Sequence, residues 1–148
     1  MESYEERLSA PRSWWVVVAL VGLSLSLVFL PLGALASLAA FVGGTALAAV
    51  AVSSYGSARI RVVAGSLVTP TARVPVAALG AVEPLDAEGA RAWRSHRADS
   101  RAYMLLRSYI PTAVRIPVTD PQDPTPYLYL STRSPQRLAA ALDAVRAD

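Results

Sequence analysis

The sequence lacks cysteine and lysine, and it holds a single histidine, His96. Without cysteine the chain has no disulfide, no thiolate zinc site and no thiol nucleophile. One histidine cannot build a histidine-based metal site, and as a general base it would need Asp86 or Asp99 to orient its ring. The sequence also has no glycine-rich phosphate loop and no nucleophile elbow. We therefore expect no metal, no cofactor and no enzymatic activity.

Charge is absent from one long segment. Positions 13–58, 46 consecutive residues, include no charged side chain, whereas positions 59–148 carry twelve arginines and eight acids. A single soluble domain interleaves polar residues with its apolar ones to cover its outer face. The segregation predicts a membrane protein with an N-terminal segment (1–12), a transmembrane hairpin (13–54) and one small cytoplasmic domain (55–148).

The apolar segment is long enough to cross a bilayer twice. Pro31, Leu32 and Gly33 divide it into spans at 13–30 and 34–52. At about 1.5 Å per residue, each span reaches about 27 to 29 Å, close to the roughly 30 Å hydrocarbon core. Pro31 cannot continue a helix and Gly33 frees the backbone, so the three residues predict a tight turn. A cleavable signal peptide is the alternative, since residues 34–36 resemble a cleavage site.

Arginines flank the two outer ends of this hairpin, while the turn is uncharged. Positive residues beside short spans stay cytoplasmic, which predicts a multi-pass plasma-membrane protein with both termini in the cytoplasm. The flanking arginines are Arg7, Arg12, Arg59 and Arg61. Trp14, Trp15 and Tyr55 occupy the same ends and are expected to anchor at the membrane interface.

The second span is rich in small residues at a spacing of four. Gly43 and Gly44 each follow an alanine four positions earlier, and this spacing lets helix backbones approach closely in lipid. The pattern predicts packing of the hairpin on itself. Homo-oligomerisation through the same face is the alternative.

The remainder of the chain favours strands. Segments 58–64, 67–69, 73–76, 103–109, 112–119 and 127–132 alternate or are β-rich, and nine of the eleven prolines fall in this tail. Pro135 after Ser134 begins a C-terminal helix whose apolar stripe includes Leu138 and Leu142. We predict an α+β domain, a small bent antiparallel sheet or barrel capped by one helix, which resembles the pleckstrin-homology-like fold.

Four arginines recur at steps of three and four between positions 87 and 101. If this segment is helical, Arg91, Arg94, Arg97 and Arg101 line one face that would attract anionic headgroups, and Trp93 could insert beside them. The alternative is a solvated loop or helix in which these arginines pair with nearby acids.

Two further polar groups have a structural and a functional interpretation. Asp120 and Asp123 lie in a proline-rich run, where turn formation is favoured over metal ligation. Residues 131–134, Ser-Thr-Arg-Ser, could offer donors to a phosphate at the entrance of the last helix, or simply end a strand and cap the helix.

Several motifs resemble an actinobacterial family of two-span membrane proteins of unknown function. They lie at residues 4–8 (YEERL), 98–103 (ADSRAY), 106–109, 112–115 (TAVR), 120–127 (DPQDPTPY) and 131–135 (STRSP). Ser100 stands where the family usually has proline. The resemblance implies an actinobacterial plasma membrane and supplies no catalytic residues. It implies that the polar motif residues form a framework of ion pairs and turns, or one face for a partner.

These observations favour a non-enzymatic, membrane-anchored interaction or scaffold module that binds a protein partner, another copy or the bilayer. A lipid-headgroup-binding or lipid-handling protein and an accessory subunit of a cell-envelope complex are the alternatives. Nucleic acid is not expected, because the charge is weak and no reader motif is present. The candidate contacts to a partner or an anionic lipid are Arg91, Arg94, Arg97, Arg101, Arg107, Arg115, Arg133, Tyr103 and Tyr109.

Overall fold

The computed structural model describes residues 2–148 and divides the chain into two compact units. One unit contains the residues up to Leu8 together with Arg59–Asp148, and the other is Ser9–Ala58. The N-terminal residues thus join the tail, whereas the sequence suggested a separate segment over 1–12. The reason is that inward-facing and outward-facing residues alternate along this acidic segment, and Tyr4 and Leu8 are buried.

The Ser9–Ala58 unit is a pair of apolar helices. Helix α1 spans Ser13–Phe29, a 3-10 turn covers Leu30–Leu32, and α2 spans Ala34–Tyr55. Gly33 joins them with φ of 107°, a conformation that favours glycine. The predicted turn is therefore confirmed, and α2 continues past the predicted end at 52. Both helical segments are long and apolar enough to cross a membrane.

The two helices pack through small residues. A side chain at Gly22 would collide with Thr45, and one at Gly44 would collide with Leu25. Nearer the turn, the hydroxyls of Ser26 and Ser37 lie 2.8 Å apart. Gly44 thus lies against Leu25 of α1, while nothing lies within 4 Å of a Cβ built on Gly43.

The first sheet joins the two ends of the helical pair. Strands β1 (Glu2–Arg7), β2 (Arg59–Val63), β3 (Ser66–Val68) and β4 (Arg73–Pro75) pair in that order, all antiparallel. Arg7 lies opposite Arg59, so the entire Ser9–Ala58 unit is an insertion between two neighbouring strands. The β2–β3 turn is formed by Ala64 and Gly65, both at positive φ.

The second sheet contains β5 (Glu83–Leu85), β6 (Tyr103–Leu105), β7 (Ala113–Pro117) and β8 (Tyr127–Ser131) in the order β5-β7-β8-β6. Every residue of β8 is buried. Strand β6 runs parallel to β8, and β7 pairs antiparallel to β8 on its other side. The described residues therefore form two sheets and close no barrel. The prediction of an antiparallel sheet is wrong for the second sheet, because β6 and β8 are parallel.

Two helices cover these sheets. Helix α3 is short (Ala87–Trp93), and α4 spans Pro135–Ala147 with Leu138 and Leu142 fully buried. The predicted C-terminal helix and its apolar stripe are confirmed. Ser134 occupies the N-cap position of α4 without a capping hydrogen bond from its side chain. Arg146 in the last turn donates to the carbonyl of Gly80 at 2.7 Å, which fixes α4 to the chain before β5.

Candidate functional site

The arginine-rich segment is part helix and part turn. Asp86 caps α3 by accepting a 2.7 Å hydrogen bond from the amide of Gly89, and the helix ends at Trp93. Arg94 is at the C-cap, and the backbone then folds back, with the amide of Arg97 donating to the carbonyl of Ala92 at 3.0 Å. The arginines therefore do not line one helical face. Instead, the turn brings Arg91 and Arg97 to one groove.

Trp93 holds this segment on the second sheet. Its ring packs edge-on against Tyr127 with centroids 5.3 Å apart, and the Arg115 guanidinium lies 4.2 Å from its centroid. Arg115 also pairs with Glu83 at 3.0 Å. Trp93 is therefore partly buried against the protein core. Arg115 is a structural contact of the same cluster.

A surface groove of about 410 Å³ lies beside α3. Its lining consists of Glu88, Arg91, Ala92, Ser95, His96 and Arg97. None of the ion pairs seen in the described part of the chain involves Arg91 or Arg97. The Arg97 guanidinium lies 5.7 Å from the centroid of the Trp93 ring, which restricts its motion.

Hydrogen bonds define the donors that this groove offers. The Ser95 hydroxyl donates to the carbonyl of Arg91 at 2.6 Å, so its proton is engaged within the protein. The Ser95 oxygen can then accept from Nδ1 of His96, which lies 3.4 Å away. In that tautomer Nε2 of His96 is an acceptor when the ring is neutral and a donor when it is protonated.

The other predicted contacts lie elsewhere and bind within the fold. Arg101 pairs with Asp99 at 3.1 Å, and hydrogen bonds from Arg101 lower the pKa of the Asp99 carboxyl. The Tyr103 hydroxyl lies 2.8 Å from the hydroxyl of Thr69, and this contact links β6 to the end of β3. Arg107 donates to the carbonyl of Leu106 at 2.9 Å.

The entrance of α4 holds an anion, but the anion belongs to the protein. One oxygen of the Glu6 carboxylate accepts from the Tyr4 hydroxyl at 2.7 Å and from the Thr132 hydroxyl. The other accepts from the Arg133 amide at 2.8 Å. The Thr132 hydroxyl and the Arg133 amide, which could have offered donors to a phosphate, therefore bind a carboxylate of β1.

Two more of the predicted contacts secure the same N-terminal strand. The Tyr109 hydroxyl donates to the carbonyl of Leu8 at 2.5 Å. Arg133 lies 5.8 Å from the Tyr109 ring centroid and donates to the carbonyl of Arg7 at 3.5 Å. Tyr109 and Arg133 thus connect the C-terminal half of the chain to its start.

The two aspartates of the proline-rich run form turns. Asp120 accepts from the amide of Gln122 and Asp123 accepts from the amide of Thr125, each at 2.9 Å. The hydrogen bonds from Thr125 also lower the pKa of the Asp123 carboxyl. Within residues 2–148 no three histidine, cysteine, aspartate or glutamate side chains are grouped as a metal site would require.

The end of the helical pair carries the predicted aromatic anchors. Trp14 and Tyr55 stack with centroids 5.7 Å apart and ring planes 2° from parallel. Both rings line an apolar cavity of about 330 Å³ together with Ala51 and Val52. Trp15 is 47% exposed on the same helix.

Sequence reasoning missed the role of Glu6, Tyr4 and Thr132, which join the two ends of the domain. The alternation of Tyr4, Glu6 and Leu8 was an available signal for a strand with one face inward. It was obscured because the first twelve residues hold three acids and because the partner strand follows some fifty residues later.

One comparison with known proteins gives a match. A family model described as "Protein of unknown function (DUF3093)" matches residues 3–142, nearly the whole chain. Neither the curated proteins nor the solved structures include a match.

Proposed function

This chain belongs to the DUF3093 family of proteins of unknown function, and we propose that it is a non-enzymatic interaction module anchored in the plasma membrane by a helical hairpin. The pairing of β1 with β2 carries this proposal. It connects the two ends of the apolar helical pair to adjacent strands of one sheet. A domain built in this way is fixed to its anchor at two points.

The surface of the helical pair supports insertion into lipid. Eleven per cent of the most apolar window of each helix is buried, so neither resembles the core helix of a soluble protein. Exposed apolar side chains continue along both helices, from Val16 and Leu20 to Leu47 and Val50. A contiguous apolar surface of this extent needs a cover, and a bilayer supplies one along the full length of each helix.

The sheet also supports one orientation. Residues Arg7 and Arg59 face each other in the first sheet, so the chain enters and leaves the hairpin at the same side. Arg12 and Arg61 add positive charge to those ends, which favours the cytoplasmic side for both termini. If the first helix were a cleaved signal peptide, cleavage would also remove β1, which precedes that helix and pairs with β2.

Several polar motif residues form hydrogen bonds and ion pairs within the domain, which supports a binding role rather than catalysis. Asp99, Asp120 and Asp123 hold turns, and Arg115 and Glu6 hold strands and helices together. The contacts of these side chains stabilise the framework of the domain. The two sheets and capping helix are compatible with a pleckstrin-homology-like module, whereas the parallel β6–β8 pair is not part of that prediction.

The absence of cysteine makes the topology directly testable. We would introduce single cysteines, Ser9→Cys, Leu32→Cys and Asp148→Cys, and label intact cells with a membrane-impermeant maleimide. Leu32→Cys should react in intact cells, while the other two should react after permeabilisation. The unmodified chain is the control. Labelling of Ser9→Cys and Asp148→Cys on opposite sides, or of all three without permeabilisation, would contradict the proposed anchor.

A further inference from the structure

The groove beside α3 has the features of a binding site for a small anion. Arg91 and Arg97 place two guanidinium groups on its lining, against one carboxylate, that of Glu88. The groove therefore carries one net positive charge. Guanidinium groups bind phosphate and carboxylate oxygens through paired donors.

The arrangement is held in place by the protein rather than by the ligand. Trp93 fixes the end of α3 against Tyr127, and the Arg97 guanidinium lies over the same ring. The Ser95 hydroxyl bonds to the carbonyl of Arg91, so the turn that carries His96 is tied to the helix. Fixed donors reduce the entropy lost on binding.

We propose that this groove binds a phosphate monoester. Such a group carries about −1.5 to −2 charges near neutral pH, which complements the net positive charge of the groove. A volume of about 410 Å³ exceeds that of a bare phosphate and accommodates a phosphate with its attached alcohol. The phosphate belongs to a soluble ester or to the headgroup of an anionic lipid. The inference deepens the proposed function, on which it rests, by naming the ligand class.

The test uses the full chain in nanodiscs and two probes. In phosphatidylcholine nanodiscs, glycerol 3-phosphate is titrated by calorimetry. In a second arm, the melting temperature is compared between phosphatidylcholine nanodiscs and nanodiscs that contain phosphatidic acid. Binding in the first arm identifies a soluble ester. A rise of the melting temperature in the second arm, without binding in the first, identifies the lipid headgroup.

Variants assign the response to the groove. Arg91→Gln and Arg97→Gln should each weaken binding by about tenfold to a hundredfold, since a hydrogen bond to a charged group contributes about 1.5 to 3 kcal/mol and about 1.4 kcal/mol corresponds to tenfold. Arg73→Gln is the matched control, because it removes the same charge from an exposed position in β4. Circular dichroism of each variant verifies the fold.

Three results would overturn the proposal. They are no response to either probe, a response that Arg91→Gln and Arg97→Gln leave unchanged, and an equal loss with Arg73→Gln. The cysteine-labelling result is independent of these outcomes, so failure of the anchor and failure of the groove are distinguishable.

Discussion

Glu6 shows how one side chain can connect two distant parts of a chain. Its carboxylate collects donors from Tyr4 in the same strand and from Thr132 and Arg133 at the entrance of α4. Thr132 is fully buried, so its hydroxyl depends on protein acceptors such as Glu6. A buried donor without an acceptor loses its hydration and gains nothing in return.

We therefore expect Glu6→Ala to lower the free energy of unfolding by about 2 to 3 kcal/mol, the cost of leaving buried donors unsatisfied. The matched control is Glu5→Ala in the same strand, where the carboxylate forms an exposed ion pair with Arg59. Such pairs contribute about 0 to 1 kcal/mol. Thermal unfolding of the full chain in detergent measures both variants. Equal shifts in their melting temperatures would contradict the role of Glu6.

Tyr4 predicts a limit to stability at high pH. Burial, followed by the hydrogen bond to Glu6, raises the pKa of Tyr4 from 10.0 to about 12. The folded state thus favours the neutral phenol. Its contribution is complete below pH 10, the unfolded value, and is lost as the pH rises toward 12.

The variant Tyr4→Phe isolates this effect. It keeps the ring and removes the titrating group, so melting temperatures between pH 10 and 12 should fall less steeply than in the unmodified chain. The hydroxyl bond to Glu6 is also lost, which lowers stability at neutral pH by about 1 kcal/mol. If both proteins show the same dependence on alkaline pH, Tyr4 does not control it.

At the scale of elements, strong local patterns predicted the structure well and weak ones did not. Both apolar helices, their turn at Pro31 and the C-terminal helix follow from composition and period, because those signals lie within one element. Strand β5 was missed because it consists of Glu83, Pro84 and Leu85. As an edge strand, it tolerates a proline that a central strand would not.

Long-range pairing explains what could not be predicted. The partner of β1 lies beyond the inserted helices, and the parallel partner of β6 lies beyond β7. Local sequence does not encode either choice. In the groove, Arg91 and Arg97 were predicted as candidates, but Ser95 and Glu88 were not. The turn after Trp93 brings these four residues to one groove, and that turn depends on how Trp93 packs on the second sheet.

The glycines of the two helices differ in how much space surrounds them. Gly22→Val should separate the helices, because the new side chain would meet Thr45 and lies close to the carbonyl of Phe41. Overpacking of this kind costs about 1 to 3 kcal/mol. Gly43→Val is the matched control, since nothing lies within 4 Å of its Cβ position.

Disulfide formation reports on this packing. The Ser26 and Ser37 hydroxyls lie 2.8 Å apart, and the chain has no other cysteine to compete with an engineered pair. We expect Ser26→Cys with Ser37→Cys to cross-link rapidly under mild oxidation. Adding Gly22→Val should slow the reaction severalfold, while adding Gly43→Val should not. Equal slowing by the two variants would show that the helices do not meet through Gly22.

At the scale of the whole molecule, the chain is a small two-sheet domain whose first β-connection has been extended into a helical hairpin. This order of elements explains why the first residues are structural, although the sequence presents them as an acidic N-terminal segment. Strand β1 stays in place through its pairing with β2 and through Glu6, Tyr109 and Arg133. The connection at the hairpin turn is therefore not needed to hold the two ends of the domain together.

A split chain tests this directly. Fragments 1–32 and 33–148, divided at the turn beside Gly33, should co-purify when expressed together, because both the helix contacts and the β1–β2 pairing survive the cut. Fragment 10–32 retains the helix and lacks β1, so its recovery with 33–148 should fall severalfold. The two fragments contain the same apolar helix, which controls for association through lipid or detergent. Equal recovery of fragments 1–32 and 10–32 would mean that helix packing alone joins the two fragments, and that β1 does not contribute to their association.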